Sequence, residues 1–369
     1  MTAAAGSLIG EDALVFALRE LYARTGYRQY QMSKFEEYDL YARNRDFLPS
    51  EQIITFTDTT GKLMALKPDV TISIIKNIRD VPDTLQRLYY DERVYRVSAS
   101  GGSFQELRQL GLECIGALDD YALSEVLMLA AASLRQLGVP AVLEVSQLDI
   151  VGALLDAAGL DYDGRAAAER AVGGKNLHEL SALLEEHGTD REAADTLLAL
   201  LGAPGTPEAV FRLLETSPER LIDKSAAAQL RALIAGLPEE LSGMIRIDFS
   251  LTGNRRYYNG VIFQGYIQGV PSRVLSGGQY DRMMERMGRR SLACGFAVYV
   301  DLLERLFRDG EEYDFDVALL YGEGDAVGDI HAAAEDLRRS GRSVYVARTL
   351  PGALRFREIT EIGGAKRNG

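Results

Sequence analysis

The spacing of hydrophobic positions changes several times along the chain, and each change marks an element. Leu14, Leu18, Leu21 and Tyr22 recur at helical spacing over residues 11–25, and Gly26 suits the left-handed position after a helix. Residues 27–32 then alternate as a strand does. Residues 54–66, ITFTDTTGKLMAL, read as a hairpin turning at Asp58 and Gly61. Pro68 stops that hairpin, and Asp69 is placed to cap a helix over 70–77, whose N-terminus is a ready place for the polar groups of a ligand.

Residues 87–116 carry the most informative pattern, two strands joined by a glycine-bearing loop. In the second strand Leu110, Leu112 and Cys114 share one face, while Gln109, Gly111 and Glu113 share the other. The apolar face belongs on a core. The opposite face sets an amide and a carboxylate either side of a missing side chain, which is either a solvated sheet surface or floor space for a small polar ligand. Arg96 ends the first strand, where a guanidinium could clamp a carboxylate or a phosphate.

Further on, residues 121–137 predict an amphipathic helix, 141–146 a short strand, and the chain turns helical from Gln147. Residues 159–236 are rich in Ala, Leu and Glu, in short helices broken at Gly173, Gly174, Gly202, Pro204 and Pro218. They hold no strand signal and no nucleotide, metal or nucleophile motif. Strand character returns over 244–251 and 257–263. Residues 276–281 then turn into a helix reaching 287, 292–298 are apolar, and 299–307 close the region as a helix. A sheet resuming after a helical insertion is an α+β architecture. The tail, 313–348, reads as a single βαβ unit, and residues 355–369 as charged and partly disordered. Gly322, Gly324 and Gly328 have the spacing G-x-G-x-x-x-G without a clear acidic partner, a weak nucleotide signal.

Composition narrows the function. A chain of 369 residues predicts two or three units, and a net charge of −13 works against sequence-independent binding to polyanions. Cys114 and Cys294 lie in apolar runs without metal-ligand spacing, which predicts a reduced, intracellular protein. His178, His187 and His331 are isolated and read as surface residues. With no span-length apolar run and no basic region followed by an apolar stretch at the start, the expected address is the cytoplasm, away from membranes.

Four segments in order carry a resemblance: LMALKPDVT at 63–71, RVYR followed by QLGLECIG, RRYYNGVIFQGY at 255–266, and SGGQYD with ACGFAV within 276–298. The chain resembles the catalytic core of the histidyl-tRNA synthetases. The resemblance implies a class II aminoacyl-tRNA synthetase-like antiparallel sheet flanked by helices, formed by residues 1–158 and 237–308, with a helical insertion over 159–236 and a small C-terminal α/β domain over 313–369. It further implies a histidine pocket. Asp69, where the synthetases usually have Glu, would hold the α-amino group with Thr71 and Gln109. Glu113 and Tyr258 would flank the imidazole with Tyr257 beside them, and Arg96 would face the carboxylate. An amine wants acidic or amide acceptors, and an imidazole wants a partner at each nitrogen.

The residues that would handle ATP depart from the family. Gly253 stands where the synthetases have an arginine, and Tyr299 and Leu302 stand where they have a small residue and a second arginine. Arg255 and Arg256 lie nearby, but a displaced cation is a poor transition-state clamp. Ser33 also replaces a proline expected in the segment that builds the class II dimer. An amino-acid site without an ATP site, and a tail too small to grip tRNA, is similar to the synthetase-like regulatory subunits of ATP phosphoribosyltransferase. That resemblance implies no catalysis, no cofactor and no metal. It implies a dimer through the class II core, a short-form catalytic subunit as partner, and L-histidine as feedback effector in histidine biosynthesis. The alternatives are a divergent histidyl-tRNA synthetase and a free-standing histidine sensor.

Overall fold

Helix α1 (Glu11–Arg24) stops at Gly26, whose φ of +87° only glycine adopts without strain. The computed structural model describes residues 10–44, 53–98, 102–253, 257–303, 313–362 and 366–367. The strand expected over 27–32 shrinks to β1 (Arg28–Gln29), a parallel edge beside a longer neighbour. Strand β2 (Phe35–Glu37), for which the sequence had no signal, leads into α2 (Tyr38–Arg43) and joins the predicted hairpin, β3 (Thr55–Thr57) and β4 (Leu63–Leu66), in a three-stranded sheet. Asp58 shapes the hairpin turn by accepting from the Thr60 and Lys62 amides. Helix α3 (Val70–Asn77) follows, capped as predicted, with the Asp69 carboxylate accepting from the Ile72 amide at 2.8 Å.

The long pair β5 (Gln86–Val97) and β6 (Phe104–Gly116) comes next, then α4 (Asp120–Arg135), β7 (Ala141–Gln147) and α5 (Leu148–Ala157). Five helices fill the helical stretch: α6 (Tyr162–Gly173), α7 (Leu177–Glu186), α8 (Arg191–Leu201), α9 (Pro207–Thr216) and α10 (Lys224–Ala235). After the short α11 (Glu239–Ser242), the strand expected over 244–251 keeps only β8 (Ile245–Ile247). Asp248 turns the chain out of the sheet by accepting from the amide and hydroxyl of Ser250. The region closes with β9 (Asn259–Ile267), β10 (Leu275–Gln279), α12 (Asp281–Arg286) and β11 (Leu292–Tyr299).

The segment from Ser276, expected to lead straight into a helix, is therefore strand first. Its glycines serve close strand approach, since a Cβ at Gly277 would meet the Gly295 carbonyl oxygen at 2.4 Å. The helix expected over 299–307 is a 3₁₀ turn, Val300–Leu303, beyond which 304–307 lie outside the described residues. So do Arg255 and Arg256.

The main sheet has the order β1-β5-β6-β11-β10-β9-β7-β8. Its six central strands are antiparallel, and β1 and β8 run parallel to their neighbours at the two edges. Its two faces have different tasks. One packs on α1 and α4, where the Tyr22 hydroxyl and Ser133 Oγ are 2.8 Å apart. On the other face α3, α12 and the small sheet share a core of Ile72, Ile74, Ile75, Met283 and Met284. Glu36 of β2 anchors α3 there, accepting from Ser73 at 2.8 Å and Lys76 at 2.5 Å.

The chain forms two compact units, one of Leu14–Leu302 and one drawn from Met1–Ala13 and Leu303–Gly369. In the second, the expected βαβ appears as β12 (Phe315–Leu320), α13 (Val327–Arg339) and β13 (Val344–Ala347). It is not the whole sheet. Residues 355–369 contribute β14 (Phe356–Glu361) and β15 (Lys366–Arg367), giving the order β13-β12-β14-β15. Their charge concealed an alternating strand whose Phe356 pairs in register with Phe315 and stacks on it at 6.0 Å.

The close packing of β6 on β11 is testable at Gly111, where a Cβ would fall 2.1 Å from the Phe296 carbonyl oxygen and 2.6 Å from the Tyr90 hydroxyl. Gly111→Ala is expected to lower stability by about 1–3 kcal/mol, read as a lower urea midpoint with unchanged slope.

Candidate functional site

On the face that carries α3 and α12, the middle of the main sheet is floored by small residues. Gly111 of β6 stands opposite Ala297 of β11, and Glu113 opposite Gly295. Gly295 is what makes room for the Glu113 side chain, because a Cβ there would lie 1.9 Å from its Oε2. Around this floor is a cavity of about 70 Å³, and all seven candidate residues line it: Asp69, Thr71, Arg96, Gln109, Glu113, Tyr257 and Tyr258.

Each arrives by a different route. Asp69 and Thr71 come from the head of α3, so Asp69 both caps the helix and faces the cavity. Gln109 and Glu113 come from the polar side of β6, as the alternation predicted. Arg96 projects from the end of β5, its Nε donating to the Pro68 carbonyl at 2.8 Å, with a terminal nitrogen 4.0 Å from Asp69. Tyr257 and Tyr258 precede β9, with ring centres 4.5 Å apart.

The structure adds Tyr90, Tyr280 and Ser276, which sequence reasoning did not place, and brings Tyr299, expected at the nucleotide site, into the same cavity. Tyr280 matters most. It stands at the head of α12 and its hydroxyl donates to Glu113 Oε2 at 2.5 Å, while Thr71 donates to Oε1 at 2.8 Å. SGGQYD contains Tyr280, but only strand pairing shows that it faces Glu113. The Gln109 amide makes no side-chain hydrogen bond among the described residues and remains available to a ligand.

Glu113 is 2% exposed, and its burial pushes the carboxyl up to about 8 against the hydrogen bonds from Tyr280 and Thr71, with nearby Asp69 adding to the rise. Burial likewise raises the Tyr257, Tyr258 and Tyr280 hydroxyls, so all three stay protonated donors. The site can therefore offer a buried carboxyl, a free amide, a helix-capping carboxylate and phenol hydroxyls to a small molecule with several N–H groups. Among the described residues no group of three or more His, Cys, Asp or Glu side chains is placed to hold a metal. In the tail, the Gly322 amide is taken up by the Asp325 carboxylate at 2.7 Å, which fills the anion position of the glycine loop. No helix among the described residues is long and apolar enough to cross a membrane.

An antiparallel sheet in this strand order, with a polar cavity on one face and a helical insertion before its last strands, is the class II aminoacyl-tRNA synthetase fold. The family model described as "Histidyl-tRNA synthetase" matches residues 11–303. Two similar proteins are named "ATP phosphoribosyltransferase regulatory subunit". The one from Clostridium kluyveri is 30% identical over 88% of this chain and 85% of its own length. The one from Thermus thermophilus is 32% identical over 81% and 80%. A crystal structure titled as an ATP phosphoribosyltransferase regulatory subunit/histidyl-tRNA synthetase, from Bacillus halodurans, shares the fold with a TM-score of 0.73 at 24% identity, covering 95% of this chain and 93% of that one. The chain belongs to the histidyl-tRNA synthetase family, in its branch of ATP phosphoribosyltransferase regulatory subunits.

The buried Glu113 gives the folding equilibrium a signed pH dependence. Its carboxyl titrates near 4.5 when unfolded and near 8 when folded, so the native state binds the extra proton between those values. The resulting stability is present in full below about pH 4.5 and is lost as pH rises through 8. With the proton on, one of the two hydroxyls takes the acceptor role. Urea titrations across this window are expected to show stability falling with pH, and Glu113→Gln, which cannot ionise, to flatten that slope.

Proposed function

We propose that this chain is the non-catalytic regulatory subunit of ATP phosphoribosyltransferase, acting in histidine biosynthesis with a short catalytic subunit, and that L-histidine in the cavity is its effector. The observation that carries the ligand is Glu113 at the closed end of the cavity, with Thr71 and Tyr280 on its oxygens and the unoccupied Gln109 amide farther along the same strand. Imidazole fits the Glu113 end, because it can donate to a carboxylate or accept from a carboxyl. The ammonium group fits Asp69, Thr71 and Gln109, and the carboxylate fits Arg96. The names borne by the relatives from Clostridium kluyveri and Thermus thermophilus support the assignment of the subunit.

Two positions that the resemblance assigns to activation chemistry carry no charge among the described residues. Gly253 brings no cation to the neighbourhood of Tyr258, and Leu302 is an exposed apolar residue where a synthetase needs charge. In this reading residues 1–158 and 237–308 form the core that dimerises, 159–236 the helical insertion, and 313–369 a separate small domain, with no tRNA partner. Regulation is linkage: histidine favours the conformation of the complex to which it binds more tightly, and its effect on activity cannot exceed that difference in affinity.

Co-expression with a short catalytic subunit, followed by sizing and assay of phosphoribosyl transfer, tests the proposal. A hetero-oligomer whose activity requires this chain and falls on adding histidine is expected, and absence of a complex or of activation would overturn it. Gln109→Ala is expected to weaken histidine binding by about ten- to a hundredfold, the loss of a hydrogen bond to a charged group. Histidine-dependent exchange of pyrophosphate into ATP by the purified chain would instead identify a synthetase.

A further inference from the structure

The histidine reading assigns no task to Tyr299, although this residue lines the same cavity. It is the last residue of β11, on the sheet face that carries Gly295 and Ala297, and its partner across the ladder to β6 is Gln109. It therefore stands four register pairs from Glu113 on the same face of the sheet, at the end of the cavity assigned to the ligand's main-chain groups. The side chain leans sideways off its own strand. Its hydroxyl lies 2.5 Å from Ser276 Oγ on β10, and Ser276 is the register partner of Ala297. The ring thus crosses the small floor residue and is bolted to the neighbouring strand.

The floor does not end at the ring. On the same face Ser276 pairs with Gln264 of β9, and Gln264 with Glu144 of β7, so a polar surface continues beyond it. The Tyr299 ring and its hydrogen bond to Ser276 stand on the side of the cavity that adjoins this surface. We propose that Tyr299 closes the cavity at the main-chain end, beside Gln109, and restricts the ligand to a free amino acid, rejecting one extended through its amino group. The inference rests on the histidine reading and adds its size limit. Tyr299 acts here by contact with the ligand's main-chain end, and Ser276 is a positioning residue that holds the ring in place.

Calorimetric titration of the full chain with histidine and with the dipeptide glycylhistidine tests this, in the wild type, Tyr299→Ala and Tyr299→Phe. The wild type is expected to bind histidine and to bind the dipeptide about ten- to a hundredfold more weakly, the effect of forcing extra atoms into a packed site. In Tyr299→Ala the two affinities should converge, chiefly because the dipeptide binds better. In Tyr299→Phe, which keeps the ring and loses the bolt, the gap should narrow. Equal binding of both ligands by the wild type, or undiminished rejection of the dipeptide by a folded Tyr299→Ala, would overturn the gate while leaving the histidine reading intact. If Tyr299→Ala fails to fold, unchanged discrimination in Tyr299→Phe does the same. Absence of histidine binding by the folded wild type would remove the histidine reading, and the gate with it.

Discussion

The site is organised around one buried carboxyl. Glu113 sits in the middle of the main sheet, where desolvation makes a bare charge costly, and it is accommodated because two hydroxyls reach its two oxygens. Thr71 comes from α3 and Tyr280 from the head of α12, so the carboxyl joins two helices to the strand that bears it. The junction also needs Gly295, since any side chain there would occupy the carboxylate's own space.

Holding α3 in place requires further buried polar groups. The Lys67 side chain is fully buried just before the helix and pairs with Glu92 of β5 at 2.7 Å, while burial lowers the lysine's pKa. Glu36 collects Ser73, Lys76 and Asn77 on the opposite flank. Such pairs contribute little net stability against apolar alternatives, but removing one partner leaves a stranded charge. Their effect is to fix where Asp69 and Thr71 point. A ligand touching both would sense the position of α3, and a change in that position is the kind of two-state element that linkage requires.

The same fold can therefore serve a regulatory purpose with little alteration of its sheet. A pocket that recognises an amino acid needs convergent acceptors and donors, which α3, β6 and the segment before β9 supply. Activation chemistry needs cations aimed at phosphates, and the positions that would carry them hold a glycine, a tyrosine and a leucine. Recognition and reaction are separable because different residues perform them.

Much of this was legible in the chain itself. Period-two alternation on β6 put Gln109 and Glu113 on one face, the Pro68-Asp69 step announced a capped helix, and loss of strand signal over 159–236 marked the helices there. These are local signals, determined by neighbours a few residues away. The tail misled, because the charges of FREITE masked a strand that pairing with β12 and β15 stabilises. The start of SGGQYD misled too, since it reads as leading into a helix, while its glycines serve close approach of β10 to β9 and β11. The partners of Tyr280 and Tyr299 could not be read in advance, because which residue they face is decided by pairing between strands far apart in sequence. Composition and periodicity could say that a polar face existed. Only the packing of α3 and α12 over that face could decide that it lines a cavity, because a cavity is made by several elements meeting and no single segment carries it.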